Sequence, residues 1–169
     1  FMMSGSGSLL FFHVGVVKAL AEADLLPSVM SGSSGGAIVG SIVCSHKDED
    51  IAELLNPAYF LERVPQASKK RGVAHVSELE ESIANFIPDI TFEQAFARTG
   101  RAMNVSVAPA ETHQTSRLLN ATTSPSVLMR SAVMASAAVP GIFPPVTLQA
   151  LDSHGERKSY LPSRKWVDG

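Results

Sequence analysis

The chain has 169 residues, the length of one domain, and is large enough to bury a core without staples. Its 14 basic and 16 acidic residues leave a net charge of -2, which argues against nucleic-acid binding by bulk charge. A single cysteine, Cys44, excludes a disulfide framework and a cysteine-based zinc site. Charged residues make up only 18%, and the deficit is local: none falls in 1–17, 25–46 or 131–151. A membrane-spanning helix needs roughly 20 predominantly apolar residues. Stretch 25–46 is broken by Pro27, serines 28, 31, 33, 34 and 41 and four glycines, and stretch 131–151 by Pro140, Pro144 and Pro145. Both read as buried segments of a folded domain. No basic region precedes an apolar run, so no signal peptide is visible. The expected organisation is one domain over 1–169, excised from a longer chain.

In chain order, Phe1 to Ser4 reads as the end of a strand and Gly5-Ser6-Gly7-Ser8 as a glycine-serine turn. Val14, Val17, Ala21 and Leu25 then recur at helical spacing, with Lys18, Glu22 and Asp24 on other faces. Leu26 to Ser31 predicts a short strand, Gly32 to Gly36 a tight turn, and Ala37 to Cys44 a helix apolar almost all round. Strand, turn and helix twice over is the rhythm of an α/β fold with a parallel sheet.

The middle is more polar. Helices are expected over 48–55, 76–86 and 92–96, the last opened by a capping box at Thr91 and Gln94. Lys69-Lys70-Arg71 reads as a solvated loop. Met103 to Val107 alternates as a strand. Ser124-Pro125 opens a helix that ends by Val139-Pro140-Gly141. A last strand near Lys165 to Val167 delivers Asp168 at its carboxyl end, where sites form in α/β sheets.

Gly32-Ser33-Ser34-Gly35-Gly36 fits G-x-S-x-G. A serine nucleophile has to stand exposed on a sharp strand-to-helix turn, and side chains two residues either side of it would collide, so glycine is used there. Ser34 is therefore the candidate nucleophile, with Gly32 and Gly36 as the elbow glycines. Ser33 is expected to point away. Gly5-Ser6-Gly7-Ser8 fits neither G-x-G-x-x-G, because position 10 is leucine, nor a Walker loop. Beside a nucleophile turn it reads better as an oxyanion hole of backbone N–H groups.

A serine needs a base. Pattern alone nominates none of the five histidines. His13 lies in the first helix and suits a structural hydrogen bond, His46 heads a charged run and is expected to be exposed, His75 and His113 lie in polar surroundings, and His154 sits in a hairpin tip with Asp152. Asp168, before Gly169, stands where a strand ends.

Several segments together carry a family resemblance: 13–20, 25–36, Thr91 to Phe96, Arg98 to Arg101, Ser136 to Pro145, and Trp166-Val167-Asp168-Gly169. Across essentially its whole length the chain resembles the patatin-like phospholipase domain, most closely the branch that holds triacylglycerol lipases. The resemblance implies a three-layer α/β fold with a mainly parallel central sheet flanked by helices. It implies a Ser34–Asp168 dyad in place of a triad, with Gly5, Ser6, Gly7 and Ser8 as the oxyanion loop. No metal and no cofactor is called for. The implied function is hydrolysis of fatty-acyl esters, as a triacylglycerol lipase or a (lyso)phospholipase. The protein would be intracellular, cytoplasmic or peripheral on a membrane or lipid droplet. The family often has glycine where Ser6 and Leu10 stand and a cation where Leu9 stands, and the missing cation favours neutral lipids. Two other readings stay open: an α/β-hydrolase with a Ser34, Asp152 and His154 triad, and a non-catalytic lipid-binding relative.

Overall fold

A computed structural model describes residues 1–63 and 76–169. The Lys69-Lys70-Arg71 run and His75 lie outside the described residues. The elements follow as β1 (Met2–Met3), a 3-10 turn (Gly7–Leu9), α1 (Leu10–Glu22), β2 (Val29–Gly32), α2 (Gly35–Ser45), α3 (Asp48–Leu54), α4 (Pro57–Arg63), α5 (Val76–Phe86), α6 (Phe92–Thr99), β3 (Ala102–Pro109), β4 (Arg117–Leu119), α7 (Met129–Ser136), β5 (Gln149–Leu151), β6 (Arg157–Ser159) and β7 (Trp166–Asp168).

β1, β2 and β3 are neighbours in a parallel sheet, as two successive strand–helix–strand crossovers require. Helices flank it, so the expected mainly parallel α/β architecture is the one observed. β4 and β7 add antiparallel to β3. β5 and β6 pair as a separate hairpin, with Asp152 to Glu156 at its tip. On β3, Met103, Val105, Val107 and Pro109 are buried while the alternate residues are half-buried, the period-2 pattern of a strand with one face on the core. α2 packs on that face. All of its residues are buried except the half-buried Ile38, which is why the sequence there is apolar all round. Each large apolar side chain so enclosed contributes roughly 1.5–3 kcal/mol, and Met30, Ile42, Leu55, Phe60 and Trp166 are among them.

Several boundaries differ from expectation, three of them for reasons visible in the structure. α1 stops at Glu22, so Leu25, expected on its buried stripe, is exposed; Asp24 at φ 55° breaks the helix. β2 starts at Val29 because Pro27 cannot donate to a ladder. α7 begins at Met129 and not at Ser124-Pro125. Before it the backbone is spent on bridges, with Phe92 N–H donating to the Val127 carbonyl and Leu128 N–H to the Gln149 carbonyl. At α6 the capping box forms as expected: Gln94 N–H donates to Thr91 Oγ1 at 3.2 Å and Thr91 N–H to Gln94 Oε1 at 2.9 Å. No helix among the described residues is long and apolar enough to cross a membrane.

Candidate active site

The sheet register brings the two ends of the sequence together. Val105 of β3 pairs with Gly32 of β2 and with Leu119 of β4, so β2 and β4 lie on opposite edges of β3. Val107 pairs with Arg117 of β4 and with Asp168 of β7, so β7 also lies opposite β4. β2 and β7 therefore share one edge of β3 and run toward each other. Their carboxyl ends, Gly32 and Asp168, face β3 residues two apart, roughly 7 Å along the strand.

Between them stands the turn. Ser34 sits at its apex with φ 50° and ψ -119°, a left-handed backbone that serine seldom adopts. It caps α2, and its N–H donates to Ser136 Oγ at 2.9 Å. Ser136 is fully buried at the end of α7. The flanking glycines are there for space. A Cβ on Gly32 would lie 2.4 Å from the Gly36 carbonyl carbon, and one on Gly36 would lie 2.3 Å from the Met3 carbonyl oxygen. That oxygen accepts the Ser33 N–H at 3.2 Å, so β1 is fastened directly to the turn.

The Gly5 to Ser8 segment wraps over the same turn. A Cβ on Gly5 would stand 3.5 Å from the Ser34 Cβ, and one on Gly35 would meet Ser6 Oγ. The left-handed residue of the segment is Gly7, at φ 50°, where glycine is at no disadvantage; Ser6 has φ -136°. Leu9 N–H turns back to the Ser6 carbonyl, whereas the N–H groups of Gly5, Ser6 and Gly7 donate to nothing among the described residues. Free donors thus lie beside Ser34. His13 ties the segment to α1, its Nε2–H donating to the Ser4 carbonyl at 2.9 Å.

Asp168 is half-buried at the end of β7, and its N–H donates to the Ala138 carbonyl at 3.1 Å. Burial pushes its carboxyl above the usual aspartate range, against hydrogen bonds from Ser33 and the Gly169 N–H that lower it. Ser33 is a correction to the sequence reading. Its side chain does not point away: the hydroxyl donates to Asp168 Oδ1 at 3.1 Å and also reaches the Gly169 carbonyl. Ser34 Oγ itself has no hydrogen bond among the described residues.

The other titratable candidates are engaged elsewhere. His46, expected to be exposed, is half-buried and caps α2, its Nδ1–H donating to the Ile42 carbonyl at 2.9 Å. His113 is exposed. Asp152 accepts from the N–H groups of His154 and Glu156 and pairs with Lys158, so its carboxylate serves its own hairpin turn and no histidine ring. The alternative triad is therefore not assembled. The Cys44 thiol is buried, and burial pushes it up to about 12, which makes it a packing group rather than a nucleophile. Among the described residues no three histidine, cysteine, aspartate or glutamate side chains converge as metal ligands would.

Residues 1–169 match the patatin-like phospholipase family. The chain belongs to that family. It is 39% identical over 189 residues to triacylglycerol lipase 4 of Saccharomyces cerevisiae, covering 99% of this chain and 21% of that protein. It is 38% identical over 178 residues to a patatin-like phospholipase domain-containing protein of Yarrowia lipolytica, covering 99% of this chain and 22% of the relative. The chain thus spans about a fifth of the length of the curated relatives it matches. In fold it is similar to VipD from Legionella pneumophila, with a TM-score of 0.56 at 16% identity over 99% of this chain and 45% of that one. It is also similar to the type III effector ExoU, with a TM-score of 0.50 at 19% identity over 83% of this chain and 40% of that one.

Within this family frame, the sequence signals at 32–36 and 166–169 fall at one place in the fold. Ser33 and Ser136 are the residues that sequence reasoning did not place at the site. Ser136 lies in one of the segments that carry the family resemblance, but its contact with the turn spans 102 residues and no local pattern announces it.

Proposed function

We propose that this domain is a serine lipid acyl hydrolase in which Ser34 is the nucleophile and Asp168 its base. The observation that supports the reading most is the head-on approach of β2 and β7 along one edge of β3, which sets the strained Ser34 turn beside Asp168.

Asp168, as carboxylate, takes the Ser34 Oγ proton while Oγ bonds to the ester carbonyl carbon. The carbonyl electron pair moves to oxygen, and the N–H groups of Gly5, Ser6, Gly7 and Ser8 hold that oxyanion. When the carbonyl re-forms, the alcohol leaves and takes the proton from Asp168, which leaves an acyl-Ser34. Asp168 then takes a proton from water, the hydroxide attacks, and the fatty acid departs as the proton returns to Ser34 Oγ. An ordinary aspartate near pKa 3.9 is a weak base for this step. The upward push that burial gives Asp168 improves the match.

The substrate class we infer is fatty-acyl esters of neutral lipids. Leu9, at the start of the helix beside the oxyanion segment, offers no cation to a phosphate headgroup, and 1–17 carries no charge. Peripheral contact with a membrane or droplet surface is supported by Leu9, Phe12 and Val16. They form one stripe along α1 and its preceding turn, and are 59%, 73% and 50% exposed. Product analysis on a panel of triacylglycerols, diacylglycerols and lysophospholipids, with the intact protein and its Ser34→Ala variant, tests the proposal. Fatty acid released from the neutral esters by the wild type alone is the expected result.

A further inference from the structure

The hydroxyl one residue before the nucleophile has a place of its own in this site. Ser33 Oγ lies 3.1 Å from Asp168 Oδ1 and also against the Gly169 carbonyl oxygen. A serine hydroxyl has a single proton to donate, so two acceptors compete for it. Around Asp168 little else could answer its charge. β3, packed along β7, has no ionisable side chain between Ala102 and Pro109. The only charged residue of α7 is Arg130, and its guanidinium is spent on the Ile87 and Ala84 carbonyls. Arg117 of β4 lies over the Trp166 ring, and Lys165 donates to Thr147 Oγ1. The β2–α2 turn and the Gly5 to Ser8 segment carry no charge.

We propose that Ser33 is a positioning residue for Asp168, its hydroxyl holding Oδ1 so that the carboxylate stays beside the turn with Oδ2 as the oxygen offered to Ser34. The inference rests on the reading of Asp168 as base. The two acceptors give Ser33 a partner in each state of the cycle. While Asp168 is a carboxylate, the Ser33 proton goes to Oδ1, as a charge-assisted bond. Once Asp168 has taken the Ser34 proton, the attraction at Oδ1 weakens and the Ser33 proton turns to the Gly169 carbonyl. No covalent bond changes at Ser33. Because burial raises the Asp168 carboxyl and Ser33 opposes that rise, loss of the hydroxyl lets the carboxyl titrate higher.

The test is the pH profile of kcat/KM on a soluble short-chain ester, per folded molecule, for the intact wild-type protein, Ser33→Ala and Ser33→Thr. Ser33→Ala is expected to move the acid limb upward by about one pH unit, the order of a hydrogen bond to a charged group, and Ser33→Thr to restore it. A structural role alone would lower the plateau and leave the limb in place. Ser33→Val, which differs from Ser33→Thr by the hydroxyl and nearly matches its shape, gives the same comparison should Ser33→Ala fold poorly. An unmoved limb in the variants lacking the hydroxyl, or Ser33→Thr shifted as far as Ser33→Ala, overturns the proposal. Asp168→Asn assayed alongside separates the two failures. Wild-type turnover in Asp168→Asn overturns both the dyad and this inference, whereas an inactive Asp168→Asn with an unmoved limb overturns this inference alone.

Discussion

Gly32 and Asp168, 136 positions apart in the chain, end two strands that meet head-on along one edge of β3, opposite Val105 and Val107. That single relationship turns a glycine-serine turn and a strand-terminal aspartate into a candidate catalytic pair. It also sets what each substitution there is expected to do.

Ser34 carries strain and, in the proposed dyad, the chemistry. A non-glycine residue at positive φ costs about 1–3 kcal/mol, more than the roughly 0.5–1 kcal/mol of extra chain entropy that glycine brings. Ser34→Gly is therefore expected to raise stability by about 1 kcal/mol in chemical denaturation while abolishing ester hydrolysis. Ser34→Ala keeps a Cβ at the same φ, so it should lose activity without that gain.

Asp168→Asn is expected to lower turnover by a factor on the order of 10²–10⁴, the usual share of a general base. Its stability should respond in the opposite sense. The folded carboxyl is held above its unfolded value, so the folded state binds the proton more tightly, and stability is lost as pH rises through the folded pKa. Asparagine removes that loss. The variant should melt above wild type at pH 7, and the difference should close as pH falls below the ordinary aspartate value near 3.9. Thermal melts across that range check it.

The elbow glycines have no room to change. Gly36→Ala would drive a Cβ into the Met3 carbonyl that anchors the Ser33 N–H. We expect destabilisation of at least the roughly 1–3 kcal/mol typical of overpacking, together with loss of hydrolysis, because the turn has to open. Gly7→Ala meets no neighbour within 4 Å but has φ 50°, so its cost should be smaller and of conformational origin.

What was legible in the sequence follows from where each signal lives. The elbow was legible because its constraint is local: Gly32 and Gly36 touch across one turn. α2 was legible because burial on every side leaves a run with almost no polar residue. Asp168 was legible as a strand end, yet only the register of β3 shows which strand it meets. β4 and β7, at three residues each, are too short to carry a period, so their antiparallel addition was not foreseen. Ser33 was not legible as a site residue because its hydroxyl meets Asp168 across 135 positions of chain, a contact that no local pattern announces. The start of α7 was misread because Ser-Pro suits a helix entrance by local propensity, while bridges to Thr91 and Ala150 hold Val127 and Leu128 extended.

The surface contact proposed for the apolar stripe on α1 is separable from chemistry by mutation. Phe12→Glu, at 73% exposure, should leave the fold and the rate on a soluble ester intact. It should reduce both the rate on emulsified triacylglycerol and co-flotation with lipid droplets severalfold. Equal loss on both substrates would assign Phe12 to the site and not to the surface.

The histidines provide a contrasting set. Alanine at His46, His113 or His154 should cost far less turnover than Asp168→Asn, since none contacts Ser34; His13→Ala is judged per folded molecule, because it frees the Ser4 carbonyl.

The most direct measurement is active-site labelling of the intact protein with a fluorophosphonate, read by peptide mass spectrometry. The account predicts one covalent adduct on Ser34, formed faster as pH rises through the Asp168 titration and greatly slowed in Asp168→Asn. An adduct on Ser33 or another residue, or a folded wild-type protein that active ester hydrolysis accompanies without any adduct at Ser34, would contradict it.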